Sequence, residues 1–199
     1  MEAINSGNEN VQRTYTADQI AKILDHIKDD KLLHLAIHIG FVCSLREGEV
    51  AGIDLKESSL WIIRQVQRVS DAALKEIPKD ELLKVFPKKV ANSKSSLILI
   101  KPKTVGSHRK QYITTPLVHE IAERIQHIQR CKDFFQEEYQ DHGLLICQLD
   151  GTPLDPCYLV RGFRECQQEM GIPEEERIGS AIAAGSAKRR SPCTAKRLR

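Results

Sequence analysis

The chain has 199 residues, 41% of them hydrophobic and 29% charged, with 30 Lys and Arg against 27 Asp and Glu. That balance excludes a disordered polyampholyte, and no apolar run approaches the ~18 to 20 residues of a membrane span. The positive charge is local, because Lys188 to Arg199 hold six basic residues and no acidic one, so the remainder has 24 basic against 27 acidic residues. Any phosphate-binding site in the body must therefore be a patch, since affinity for phosphates follows clustered charge.

The polar start, "MEAINSGNENVQRTYT", lacks the apolar core of a signal peptide, and a cytoplasmic location is expected. Six cysteines (Cys43, Cys131, Cys147, Cys157, Cys166 and Cys193) show no CxxC pair and no metal-ligand spacing with histidine. Reduced thiols are expected, with no metal and no cofactor.

In chain order, "TYTADQIAKILDHI" predicts a helix capped by Thr16, with Gln19 completing a capping box and Ile20, Ile23, Leu24 and Ile27 on one face. "DDKLLHLAIHIGFVCSL" predicts a second helix, apolar almost all round and so central to the core. His34 and His38 lie one turn apart in it without an apparent third ligand, and packing or partial exposure is the expected role of both. A short third helix runs from about Arg46 to Gly52. "SLWIIRQVQRVS" predicts a strand, and "DAALKEIPKDELLKVFPKKVANSKSS" a polar insertion with a helical turn or two. Two strands, Leu97 to Lys101 and Arg109 to Thr114, are expected to form a hairpin around Val105, Gly106 and Ser107. A long amphipathic helix follows, with Leu117, Ile121, Ile125 and Ile128 as its core face, and His119 and His127 at its surface. "GLLICQLDGTPLDP" predicts a short strand and an Asp-Gly turn. A last helix over "CYLVRGFRECQQEMGIP" is closed by Gly171 and followed by Pro173. From Gly179 onward no sustained apolar face remains, so residues 179–199 are expected to form a disordered basic tail.

Two local features carry candidate chemistry. Arg46 stands at the break between an apolar helix and the next, where buried neighbours would hold its planar fork for phosphate oxygens. Glu49, one turn later, can hold the guanidinium, although a surface arginine with an i, i+3 partner has the same sequence. Gly48 and Gly52 allow close backbone passage or a helix end. Lys103 sits where the expected hairpin turns, among Lys101, His108, Arg109 and Lys110. A lysine on such a turn can reach a phosphate or give up a proton, but a solvated turn whose charges blunt a sheet edge reads the same way.

The order of these pieces resembles the catalytic domain of the tyrosine recombinases, the phage integrase family. The likeness rests on "LREGEVAGI", "PKTVGSHRKQYITTP" and "DGTPLDPCYLVRGFRECQQEMGIP", and extends from about Tyr15 to Pro173. The stretch "KVFPKKVANSKSS" is similar to integrases of mobile elements in Gram-positive bacteria. The resemblance implies a mainly helical α+β domain over 15–178 with a small antiparallel sheet, preceded by a polar segment over 1–14. It implies double-stranded DNA as partner, and cutting and rejoining of strands through a 3′-phosphotyrosyl link without metal or nucleotide cofactor. Arg46 would clamp non-bridging phosphate oxygens, Glu49 would orient it, and Lys103 would protonate the leaving 5′-oxygen. Ser107 and Arg109 would contact the DNA backbone, which positions DNA without reading its sequence.

The sequence departs from that pattern after Pro173, where it has no histidine and no tyrosine. The family's His-x-x-Arg box and nucleophilic tyrosine belong there, and Tyr158, which precedes them, is expected to be a packing residue. The likeness begins near Tyr15, so the family's N-terminal helical domain is not expected within these residues. The expectation is a C-terminally incomplete recombinase domain that does not cleave DNA, and that would assemble into homo-oligomers on DNA only if completed. The alternative is a non-catalytic DNA-binding or regulatory protein using the remaining fold and basic tail.

Overall fold

The computed structural model describes residues 15–53, 60–102, 109–111 and 113–178. Three helices come first: α1 (Ala17–His26), α2 (Lys31–Cys43) and α3 (Glu47–Ala51). The expected capping box opens α1, with the Gln19 N–H donating to Thr16 Oγ1 at 3.3 Å and Gln19 Oε1 accepting the Thr16 N–H at 2.9 Å. Asp30 caps α2 by accepting the Leu33 N–H at 2.9 Å. That helix is buried on most sides, as its near-continuous apolar sequence requires.

The strands β1 (Leu60–Ile62), β2 (Gln65–Ser70), β3 (Leu82–Val85), β4 (Ser95–Ile100) and β5 (Arg109–Gln111) form two antiparallel sheets, with α4 (Asp71–Glu76) between β2 and β3. One sheet has the order β2-β4-β3, and the other pairs β1 with β5. This corrects two expectations. The strands on either side of Gly106 do not form a hairpin with each other. β4 lies between β2 and β3, and β5 pairs with β1, Ile62 opposite Arg109. The insertion also contributes a strand, β3, at the sheet edge, with a bulge between Leu82 and Lys84.

The long helix α5 (Thr115–Phe135) buries Leu117 and Ile128, half-buries Ile121 and leaves Ile125 exposed, so its core face is narrower than the sequence spacing predicts. The short strand expected in "GLLICQLDGTPLDP" is present only as isolated bridge positions, with Cys147 pairing Pro153 around the Asp150-Gly151 turn, where Gly151 has φ +81°. Helix α6 (Pro156–Glu169) follows, and Gly171 beyond its end takes φ +69°, the left-handed conformation that suits glycine.

The main core lies between α1, α2, α3 and α6. Phe163 stands in it fully buried, with Phe41 edge-on at 5.8 Å and Tyr15 at 6.5 Å. A smaller core of Val66, Phe86, Leu99, Ile128, Leu144 and Cys147 packs under the three-stranded sheet. Tyr158 is half-buried against the main core and donates its hydroxyl to Asp30 Oδ2 at 3.1 Å, the packing role expected of it. Cys43, Cys147 and Cys166 are buried. Among the described residues no helix is long and apolar enough to cross a membrane.

Candidate nucleic-acid interface

The approach to Arg46 is fixed by burial. Leu45 is fully buried, and Ser44 ends α2 in a left-handed conformation whose N–H returns to the Gly40 carbonyl. Arg46 is then extended (φ −76°, ψ 156°) and serves as the N-cap of α3. The Glu49 side chain is 4% exposed, and its Oε2 accepts the Arg46 backbone N–H at 2.9 Å. The Arg46 side chain is 75% exposed, and its Nη1 stands 3.9 Å from Glu49 Oε1. Burial fixes the backbone of Arg46, and Glu49 holds that backbone more than the fork. The charged head faces solvent, where its loose pairing with Glu49 contributes little to stability and leaves its donors open to an anion.

The two glycines of this stretch explain how α3 sits. A Cβ on Gly48 would lie 2.8 Å from the Val66 carbonyl oxygen. A Cβ on Gly52 would lie 2.6 Å from both the Arg64 carbonyl oxygen and Gln65 Cα. The helix thus lies directly on the backbone of Arg64, Gln65 and Val66, where β2 begins. Gln65 pairs in turn with Ile100, the last residue of β4. The chain leaves β4 through Lys101, which is exposed, and Pro102, which is buried, beside the strand that carries α3. Lys103 and Ser107 lie outside the described residues. Arg109 is placed by its backbone on β5, opposite Ile62.

Arginines without a local sequence signal join these elements. Arg68 on β2 donates from Nε to Asp155 Oδ2 at 2.7 Å and from Nη1 to Ser95 Oγ at 3.1 Å. Asp155 also caps α6 by accepting the Cys157 N–H at 3.0 Å, so one carboxylate ties β2 to α6. Arg64 spans from the start of β2 to the carbonyls of His142 and Gly143, both at 3.1 Å. Arg124 on α5 donates to the carbonyls of Leu145 at 3.0 Å and Cys147 at 2.6 Å. Each arginine contact joins residues far apart in sequence, so only the folded chain reveals it.

Histidines settle other elements. His34 and His38 each direct Nδ1 to one oxygen of Glu120 on α5, at 3.1 and 2.8 Å. Among the described residues no group of three His, Cys, Asp or Glu side chains is arranged to hold a metal ion. His142 lies edge-on to Phe86 at 5.0 Å, and its Nδ1 accepts from Lys84 Nζ at 3.1 Å. Burial, reinforced by the Lys84 and Arg64 charges and partly opposed by Asp141, holds its imidazole below the usual histidine range. His127 is lowered as well, by burial first and then by Arg124 and Arg130. A groove between α2, α5 and the start of α6, lined in part by His34, Glu120, Arg124, Leu149 and Tyr158, does not include Arg46 or Glu49.

No family model and no curated protein matches the sequence. Solved structures do match the fold. The Tn1549 transposon integrase in complex with transposon right end DNA superposes with a TM-score of 0.60 at 15% identity, over 89% of this chain and 52% of that one. The same integrase with circular intermediate DNA gives 0.59 at 15% identity, over 89% and 53%, and a further circular-intermediate complex gives 0.56 at 15%, over 86% and 50%. The protein therefore has the mixed helical and antiparallel-sheet fold of a transposon integrase, and the chain spans about half the length of the integrase structures it matches.

Proposed function

We propose that this chain is a double-stranded-DNA-binding domain of the tyrosine-recombinase type, and that in these 199 residues it binds DNA without cleaving it. The observation that carries the reading is the exposed Arg46 fork on a backbone locked by the buried Glu49, within a fold shared with DNA-bound transposon integrases. In this reading Arg46 clamps non-bridging phosphate oxygens, and Glu49 is a positioning residue for it. Lys103 is the general acid of the parent reaction, protonating the leaving 5′-oxygen, while Ser107 and Arg109 contact backbone phosphates. The parent activity is site-specific recombination of a mobile element, with copies assembling on DNA.

Cleavage is not expected of these residues alone, because no histidine and no tyrosine follows Pro173. Without a tyrosine at the family's nucleophile position there is no covalent phosphotyrosyl link. Without the arginine of the His-x-x-Arg box the crowded, negatively charged transition state lacks a donor typically worth ~3 to 4 kcal/mol. The test is incubation of the chain with a nicked duplex that traps covalent adducts, beside a binding titration on the intact duplex. Salt-sensitive binding with no adduct is expected. A covalent protein–DNA adduct overturns the non-cleaving reading, and absence of binding at low salt overturns the DNA reading.

A further inference from the structure

Gln167 on α6 is 1% exposed and uses its whole amide. Its Oε1 accepts the Tyr15 hydroxyl at 2.5 Å and the Ile178 N–H at 2.9 Å. Its Nε2 donates to the Phe163 carbonyl at 3.2 Å and to the Ile178 carbonyl at 3.3 Å. Toward Ile178 the side chain thus acts as a strand neighbour does, offering one donor and one acceptor to a single residue's backbone. The Phe163 bond anchors the amide to its own helix one turn back. Both donors and both acceptor positions are filled, so loss of an Nε2 or Ile178 N–H bond leaves a buried N–H unpaired, and loss of the Tyr15 bond leaves Oε1 with the Ile178 N–H alone.

The positions of the partners give this clamp its meaning. Tyr15 immediately precedes the N-cap of α1, and Ile178 follows the short turn of 3-10 helix at Glu174–Glu176. The Ile178 side chain is 6% exposed and belongs to the main core, and the Arg177 guanidinium closes the turn by donating to the Ile172 carbonyl at 2.8 Å. Burial raises the Tyr15 hydroxyl above the usual tyrosine range, so it remains a donor at any physiological pH. The two stretches that lead into and out of the described core therefore meet at one buried side chain, although 152 residues separate Tyr15 from Gln167.

We infer that Gln167 is a positioning residue that couples the backbone at Ile178 to the seating of Tyr15, so that a change in how Tyr15 is held alters the backbone at Ile178, and the reverse. The coupling is reciprocal, as any linkage through a shared group must be. It stands independently of the DNA-binding reading, because it rests only on bonds within the protein.

Amide hydrogen exchange on the full chain tests it. Tyr15→Phe removes one hydroxyl at the entry side and keeps the ring against Phe163. The Ile178 amide should then exchange roughly fivefold faster, the size expected when one hydrogen bond in a shared set is lost. The Leu35 amide in α2 should be unchanged. Gln167→Met keeps the volume and removes all four bonds, and should accelerate both the Ile178 amide and the Ile20 amide in the first turn of α1. An unchanged Ile178 rate in Tyr15→Phe overturns the inference. So does an equal acceleration of Ile178 and Leu35, which would mean global loosening in place of a coupled clamp.

Discussion

Replacing Gly52 by alanine tests how α3 is held and, through it, where Arg46 stands. The added Cβ would meet backbone, the Arg64 carbonyl oxygen and Gln65 Cα, both at 2.6 Å. Backbone inside a paired strand cannot rotate away as a side chain can. Ordinary contact begins at 3.4 Å, so relief from 2.6 Å requires α3 and β2 to separate by about 0.8 Å. A gap of that size forfeits a large part of the dispersion well for every side chain along the seam. Glu49, Val50 and Ala51 all lie in this helix and are buried. Overpacking of this kind costs about 1 to 3 kcal/mol, and the rigid backbone places Gly52→Ala toward the upper end; because Gly52 is the C-cap of α3, alanine's interior helix propensity returns little of it. A net loss of about 2 kcal/mol is expected. The assay is urea denaturation, read as a lower midpoint at constant slope. Gly171→Ala is the control, since its cost comes only from φ +69°, with no atom within 4 Å of the new Cβ. Gly52→Ala should also weaken duplex binding, and Gly171→Ala should not. A Gly52→Ala protein with the wild-type midpoint and wild-type DNA affinity would refute the close seating of α3 on β2.

Other substitutions separate the remaining parts of the account. Glu49→Ala removes the acceptor of the Arg46 N–H and should cost about 1 to 2 kcal/mol in urea denaturation, whereas Glu49→Gln, which keeps an acceptor oxygen, should cost less than half of that. Arg124→Met leaves the Leu145 and Cys147 carbonyls without their guanidinium donor, and a loss of about 2 to 3 kcal/mol is expected in the same assay. The pH dependence follows from His142 and His127, whose folded-state values are lowered by burial and neighbouring cations. Their neutral forms are favoured by the fold, so their contribution is complete above the unfolded histidine value of about 6.5 and is lost as pH falls below it. Thermal melts from pH 7 to pH 5 should show falling stability, and a His142→Gln, His127→Gln double variant should show a shallower fall.

Much of the helical frame is legible in the sequence because it is written locally. Thr16 and Gln19 announce α1, the unbroken apolar run announces α2, and Gly171 and Pro173 mark the end of α6. The sheets are less legible. β3 is an edge strand whose Leu83 and Val85 are both exposed, so it lacks the alternation that identifies a strand. The turn residues near Gly106 favour a local hairpin, but β1 and β2, both upstream, provide the partners that β5 and β4 take. At the site, the glycines and the arginine stand out in sequence, and the close passage expected of Gly48 and Gly52 is where the helix meets β2. That the buried Glu49 holds the backbone of Arg46 while the guanidinium is open does not follow from an i, i+3 spacing. It depends on which side of α3 faces the core, and that is a tertiary fact. The Gln167 clamp has no sequence signal, since its partners come from opposite ends of the described chain.

The most direct test of the central claim is the salt dependence of duplex DNA binding by the full chain, measured by fluorescence anisotropy for wild type and Arg46→Ala. Each phosphate neutralised contributes about 0.9 to the slope of log K against log salt. The account predicts tight binding at low salt that weakens steeply, with Arg46→Ala weaker at every salt concentration and its slope reduced by about one. Equal affinities and equal slopes for the two proteins would contradict it.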